Sequence, residues 1–177
     1  MRTSNSVFWV LAGLLLMSAS TVRAGWDANA ENKAREAVAE FRKADPDLEA
    51  FFDNAYGYAV FPSVGKGGMG IGGAYGSGLV FERGRVIGRT SLTQLTIGFQ
   101  LGGQVYREII FFKDKAALDD FKDGKFKLGA QVSAVAVTVG ASADVGYSNG
   151  VAVFTMAKGG LMYEASVGGQ KFSFEPR

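Results

Sequence analysis

The sequence predicts an α+β fold: a glycine-rich, strongly curved antiparallel β-sheet or barrel-like core, with N-terminal helices and one inserted helix. Three observations carry this expectation. Apolar residues recur at helical spacing between residues 30 and 55. From Gly57 onward, 23 of the 121 residues are glycine, and apolar and polar positions alternate. One further helical stretch, residues 114–124, interrupts that alternation.

The chain of 177 residues opens with a secretory signal pattern. Arg2 supplies the positive start, Val7 to Leu16 form an apolar run, and small residues Val22 and Ala24 precede a cut before Gly25. The apolar run is shorter than the roughly 20 residues needed to span a bilayer. Residues 1–24 are therefore expected to be a signal peptide, and residues 25–177 a single domain. That places the mature protein in the periplasm or at the outer membrane. The chain has no cysteine, so a lipid-modified N-terminus and disulfides are both excluded.

In the first helical stretch, Ala30, Ala34, Ala37, Val38 and Phe41 share one face. Asp45-Pro46 then caps a second helix whose buried face is Leu48, Phe51, Phe52 and Ala55. Tyr58–Phe61 reads as a short strand closed by Pro62, and residues 78–92 as a hairpin turning at Glu82 to Arg85. Residues 95–112 are too long for one flat strand, and Gly102-Gly103 bend or divide it. Asp114 caps the inserted helix, Ala117, Leu118 and Phe121 face inward, and Gly124 stops it. Strands are expected again over 131–147, 151–157, 161–167 and 171–174, with an Asn149-Gly150 turn between the first two.

The densest glycine stretch places eight glycines between Gly65 and Gly78. It matches G-x-G-x-x-G twice, but that motif holds a pyrophosphate only where it opens a helix. Here a glycine-broken, strand-like segment follows. Ser63-x-x-Lys66, Tyr147-Ser148-Asn149 and Lys158-Gly159-Gly160 imitate the order of β-lactamase signatures. The first of these also needs a helix that its glycines forbid. With no histidine or cysteine, the commonest general base and nucleophile are missing. Glu82 and Glu108, the two carboxylates between Gly57 and Phe112, read as surface salt-bridging groups rather than a catalytic pair. The chain is expected to be non-enzymatic, with no cofactor and no metal. A repeat offers another clue: "KGGMGIGGAYGSG" from Lys66 and "KGGLMYEASVGGQ" from Lys158 have similar beginnings, so two lysines would head two similar hairpins.

Charge narrows the partners. The two signal-peptide arginines account for the formal +2, so residues 25–177 carry 17 bases and 17 acids. Such a balance argues against nucleic acid. The charge is nevertheless segregated: residues 27–53 hold eight acids and four bases, and residues 54–113 hold six bases and two acids. A local basic face follows, with Lys66, Arg83, Arg85, Arg89 and Lys158 as its expected members.

Blocks along the chain resemble the SYLF domain family. These are "DNAYGYAVFPSVGKGGMGIGGAYGSGLVF", "SLTQLTIGFQLGGQ", "EIIFFKDKAALDDF" and "KGGLMYEASVGGQKF", in that order. The resemblance covers residues 30–175 and places Lys66 and Lys158 at the heads of the first and last β blocks. It implies a lipid-binding domain, with anionic phospholipid or phosphoinositide-like headgroups as partners and peripheral contact with the membrane. Some eukaryotic members bundle actin, a partner that secretion removes, and the acidic N-terminal helices here depart from the basic amphipathic segment of those members. The competing reading is a structural or stress-related envelope protein that binds another protein through its curved sheet.

Overall fold

The computed structural model of the protein describes residues 27–69, 71–97, 103–126, 128, 133–158 and 167–177. The expected signal peptide, all but the last residue of the expected 161–167 strand, and most of the second lysine-headed repeat lie outside these residues.

Asp27 caps helix α1 (Ala28–Ala44) by accepting from the Asn29 backbone N–H at 2.9 Å. Ala34, Ala37 and Phe41 are fully buried, the face that the spacing predicts. Asp45 ends α1, caps the 3-10 turn Pro46–Leu48, and leads into α2 (Glu49–Asn54). Three strands follow as a meander: β1 (Gly57–Met69), β2 (Ile71–Glu82) and β3 (Arg85–Ile97). Strand β4 (Gly103–Phe112) pairs back with β1, and α3 (Lys115–Lys122) is capped by Asp114 as expected. Strands β5 (Val135–Ala136), β6 (Val151–Ala157) and β7 (Lys171–Pro176) complete the sheet.

Among the described residues the order is β5-β6-β4-β1-β2-β3-β7, an open seven-stranded sheet. Of the two expected forms, curved sheet or barrel-like core, these residues show the sheet and not the barrel, because β5 and β7 remain as its edges. Nor is the sheet wholly antiparallel, since β5 runs parallel to β6. The expected strand over 131–147 shrinks to β5 within the described residues, and turns occupy 139–144. Glycine and alanine alternate with valine there, so the pattern imitates a strand but offers too little side chain to hold a pleated ladder.

Pro62 does not close a strand. It is the extra residue of a β-bulge, so that β1 advances from Val60 to Ser63 while β2 retreats only from Leu79 to Ser77. A bulge is where a proline, lacking an N–H, can sit inside a central strand. The bulge also resets the alternation, so Ala59, Phe61 and Val64 all face one hydrophobic layer.

Each face of the sheet carries such a layer. The first packs Phe61, Ile110, Phe112 and Val153 against α3, Phe126 and Phe172. The second packs Val60, Phe81, Phe111 and Phe154 beneath α1 and α2. Part of the glycine density has its explanation in the first layer. A Cβ on Gly76 would lie 2.8 Å from Val64 Cγ2, and one on Gly78 would lie 2.8 Å from Phe61 Cδ1. Bulky side chains of β1 rest on bare backbone of β2. Gly88 plays the same part on β3, where a Cβ would run into the Phe174 ring of β7.

Candidate functional site

The stretch from Ser63 to Phe81 is strand on both sides of the β1–β2 connection, so neither helix-dependent motif has the helix it needs. Glu82 and Glu108 do not form a pair. Their strand partners on β1, Gly57 and Phe61, are four residues apart, roughly 13 Å along the strand. Glu82 accepts from the Tyr56 hydroxyl at 2.8 Å.

Glu108 corrects the surface reading: it is fully buried. Burial pushes its carboxyl up to about 8, against the lowering effect of hydrogen bonds from Gln170 and Tyr106. Gln170 Nε2 donates to Glu108 Oε2 at 2.9 Å and to the Tyr106 hydroxyl at 3.3 Å, while Glu108 Oε1 has no partner. The alternation Tyr106, Glu108, Ile110, Phe112 already marked this position as inward-facing, and it was the sign to follow.

The five expected basic residues do not form one patch. Arg83 and Arg85 flank the tight β2–β3 turn, where Arg83 and Gly84 have φ of 48° and 77° and the Arg83 guanidinium lies 5.1 Å over the Tyr56 ring. Lys66 is nine residues along β1 from the strand partner of Glu82, roughly 30 Å away at the other end of the sheet. Lys158 reaches that same distal end, its N–H donating to the Val105 carbonyl at 3.0 Å. Lys66 is opposite Gln104, so the two lysines stand about two strand spacings apart, roughly 10 Å. Arg89 is elsewhere again, opposite Glu175, one residue from the Gly88–Pro176 end of the β3–β7 pair.

At the distal end the sheet's second face emerges from under the helices. Val105, Gly65, Tyr75, Thr93 and Lys171 form one transverse row across five strands. Leu95 stands one pleat farther out, in a row whose other members are Gly103, Gly67 and Gly73. Leu95 is 83% exposed, Tyr75 60% and Val105 44%. Three large apolar side chains thus lie bare at this end, with Lys66 on the opposite face, in the alternate row with Ala74 and Gln104, and Lys158 and Lys171 on the same face. Sequence reasoning found the first two lysines but not the third, because Lys171 becomes a neighbour only through β3–β7 pairing.

One row nearer the helices, Ser63, Ser77, Ser91 and Ser173 are aligned across β1, β2, β3 and β7. Ser91 Oγ and Ser173 Oγ are 2.6 Å apart, and Tyr75 hydroxyl and Ser77 Oγ 3.2 Å. This row floors a cleft of about 730 Å³ between the start of α1 and the sheet. Among the described residues, no group of histidine, cysteine, aspartate and glutamate could hold a metal ion, and no helix is long and apolar enough to cross a membrane.

The family model for Ysc84, described as a Las17-binding protein actin regulator, matches residues 93–176. Beta cell expansion factor A of Aeromonas veronii is 30% identical over 129 residues, which are 72% of this chain and 49% of that protein. Residues 93–176 thus carry a match to the Ysc84 (SYLF) domain. The chain spans about half the length of that Aeromonas relative. The SYLF match runs from the exposed end of β3 through β4, α3 and β6 to β7, and so takes in Leu95, Val105, Lys158 and Lys171. Lys66, the glycine stretch and both N-terminal helices lie before it.

Proposed function

We propose that this protein is an exported, non-catalytic lipid-binding domain that docks peripherally on anionic phospholipid membranes through the distal end of its sheet. The SYLF match supports the lipid class, since the family is associated with lipid and actin-regulatory binding. The observation that carries the reading is Leu95, 83% exposed on the same sheet face as Tyr75 and Val105, with Lys171 one pleat away on β7 and Lys158 across the sheet next to Val105. An apolar side chain can enter the headgroup boundary while the lysines meet anionic headgroups. Lys66 and Lys158 hold this role. Arg83 and Arg85 sit at the opposite end and cannot touch the same bilayer surface. The domain extends over residues 25–177, because α1, α2, β1 and β2 build half of the core before the family match begins. Export would leave Gly25 as the first residue, which intact-mass measurement of envelope material reads directly.

Vesicle co-sedimentation tests the docking. Binding is expected to vesicles rich in phosphatidylglycerol and not to phosphatidylcholine, and to fall as salt shrinks the Debye length from about 10 Å at 0.1 M to about 3 Å at 1 M. Each lysine near the surface contributes about 1 kcal/mol, so the double change Lys66→Gln, Lys158→Gln weakens binding about 30-fold. Leu95→Ser weakens it independently of salt. The pair Arg83→Gln, Arg85→Gln leaves it unchanged. Loss in the arginine pair with full binding in the lysine pair would refute the distal geometry.

A further inference from the structure

The cleft under α1 shares Tyr75 and Gly65 with the distal row but is chemically different from it, and the proposed lipid docking runs through Leu95 and the lysines instead. Its floor is the four-serine row, and hydroxyls of this kind both donate and accept hydrogen bonds. Its charged lining is balanced: Asp27 and Glu175 against Lys33 and Arg89. No net field favours an anion or a cation. At the mouth stands Tyr75, 60% exposed, its hydroxyl tied to Ser77 so that the ring is held in place. Gly65 adds nothing to the wall, since a Cβ there would meet no atom within 4 Å, and the floor stays open. Four strands at about 4.8 Å spacing give the row a length of roughly 14 Å.

We infer that this cleft binds a neutral oligosaccharide, whose hydroxyls exchange hydrogen bonds with Ser63, Ser77, Ser91 and Ser173 while a sugar ring rests on Tyr75. Each feature has its counterpart in the ligand. Sugar hydroxyls, like serine hydroxyls, donate and accept at the same atom, and a row of them can satisfy a row of serines. The apolar face of a pyranose fits an exposed aromatic ring with a polar tip. The volume lies within the range of small-molecule sites, about 300–1,000 Å³. A phosphate-bearing ligand would be drawn by Lys33 and Arg89 but repelled to a similar extent by Asp27 and Glu175.

The test is a titration of the isotope-labelled protein, followed by amide chemical shifts, with chito-, cello- and malto-oligosaccharides as probes. At least one probe is expected to shift the amides of Ser77, Ser91 and Ser173 saturably, with the same affinity at 0.1 M and 1 M salt. Ser91→Ala removes one hydrogen-bonding group from an exposed row and weakens that binding about fivefold. Tyr75→Ala removes the ring and weakens it at least as much. Both changes are at surface positions, and an unchanged melting temperature shows that the fold is intact. No saturable shift with any probe overturns the inference. So does binding that either variant leaves untouched, or binding that collapses at high salt. Vesicle co-sedimentation of Ser91→Ala keeps the two sites apart: lipid docking persists whichever way the sugar titration falls.

Discussion

Gly78→Ala should destabilise the protein although it adds a single methyl group. The position is on β2, opposite the Pro62 bulge, with the Phe61 ring laid across it. The new Cβ would lie 2.8 Å from Phe61 Cδ1, 3.1 Å from Phe61 Cγ, and nearer still to the Val60 carbonyl oxygen. A flexible side-chain end could give way, but a carbonyl in a central strand cannot move without breaking its ladder. Overpacking of this kind costs about 1–3 kcal/mol, and a backbone neighbour places it at the upper end. Alanine in a strand regains about 0.5–1 kcal/mol over glycine through the unfolded chain. The net loss is then about 2 kcal/mol, which for a domain of this size lowers Tm by roughly 4–8 °C. Gly65→Ala is the matched control. It sits in β1 with nothing within 4 Å of the added methyl, and should leave Tm unchanged or raise it by a degree or two. Thermal unfolding followed by circular dichroism compares the two. If Gly78→Ala melts with or above Gly65→Ala, the account of glycine as room for β1 side chains is wrong.

Two further outcomes follow from buried carboxyls. Glu108 is raised from 4.5 to about 8 by burial, so the folded state holds a proton that the unfolded chain has released. Its contribution is present in full below about pH 4.5 and is lost as pH rises towards 8, at up to about 1.4 kcal/mol per pH unit. Glu108→Gln abolishes that slope, so the variant gains on the natural protein between pH 6 and 8.5 in urea titrations, and parallel pH profiles would contradict this. Asp45 shifts the opposite way. Burial alone would raise its carboxyl, but hydrogen bonds from Ser142, Gly140 and Asp47 outweigh that and hold it below the usual 3.8. Its two oxygens accept from the Ser142 N–H at 2.8 Å and the Gly140 N–H at 3.0 Å, tying the α1–α2 corner to the loop before β6. Asp45→Ala orphans these donors and costs about 2–4 kcal/mol at pH 7. The natural protein sheds this stabilisation as pH falls through the depressed value, so the two proteins converge in acid.

Much of this architecture was legible in the residues. Ala34, Ala37 and Phe41 announced the buried face of α1, and Asp114 with Gly124 bracketed α3. Asn149-Gly150 turns as read, with φ of 51° and 79°. The strand ending at Pro62 was misread because a bulge lets a proline sit inside a continuous ladder, and no local pattern distinguishes the two cases. Barrel closure was beyond reach of the sequence, since closure depends on whether β5 and β7 meet. The serine row was partly visible. Ser63 and Ser77 are equidistant from residue 70, and Ser77 and Ser91 from residue 84. A hairpin reading with those turns brings them opposite each other, but placing Ser173 needs the last strand. The basic residues misled because summed charge over 54–113 carries no information about which end of a strand each one occupies.

The placement of β1 and β3 also has a consequence in time. The meander β1–β2–β3 joins neighbours through connections of one or two residues, so it can form soon after the chain is released. Strands β4 and β7 arrive later, β4 reaching back to β1 and β7 to β3. Until they dock, both outer rims of the meander are unpaired templates that a second unfolded chain could extend. Glycine is among the poorest strand formers and gives an intruding strand no side chains to grip. Gly65, Gly67 and Gly68 on the β1 rim, and Gly88 on the β3 rim, therefore blunt self-association while the molecule is still half-built.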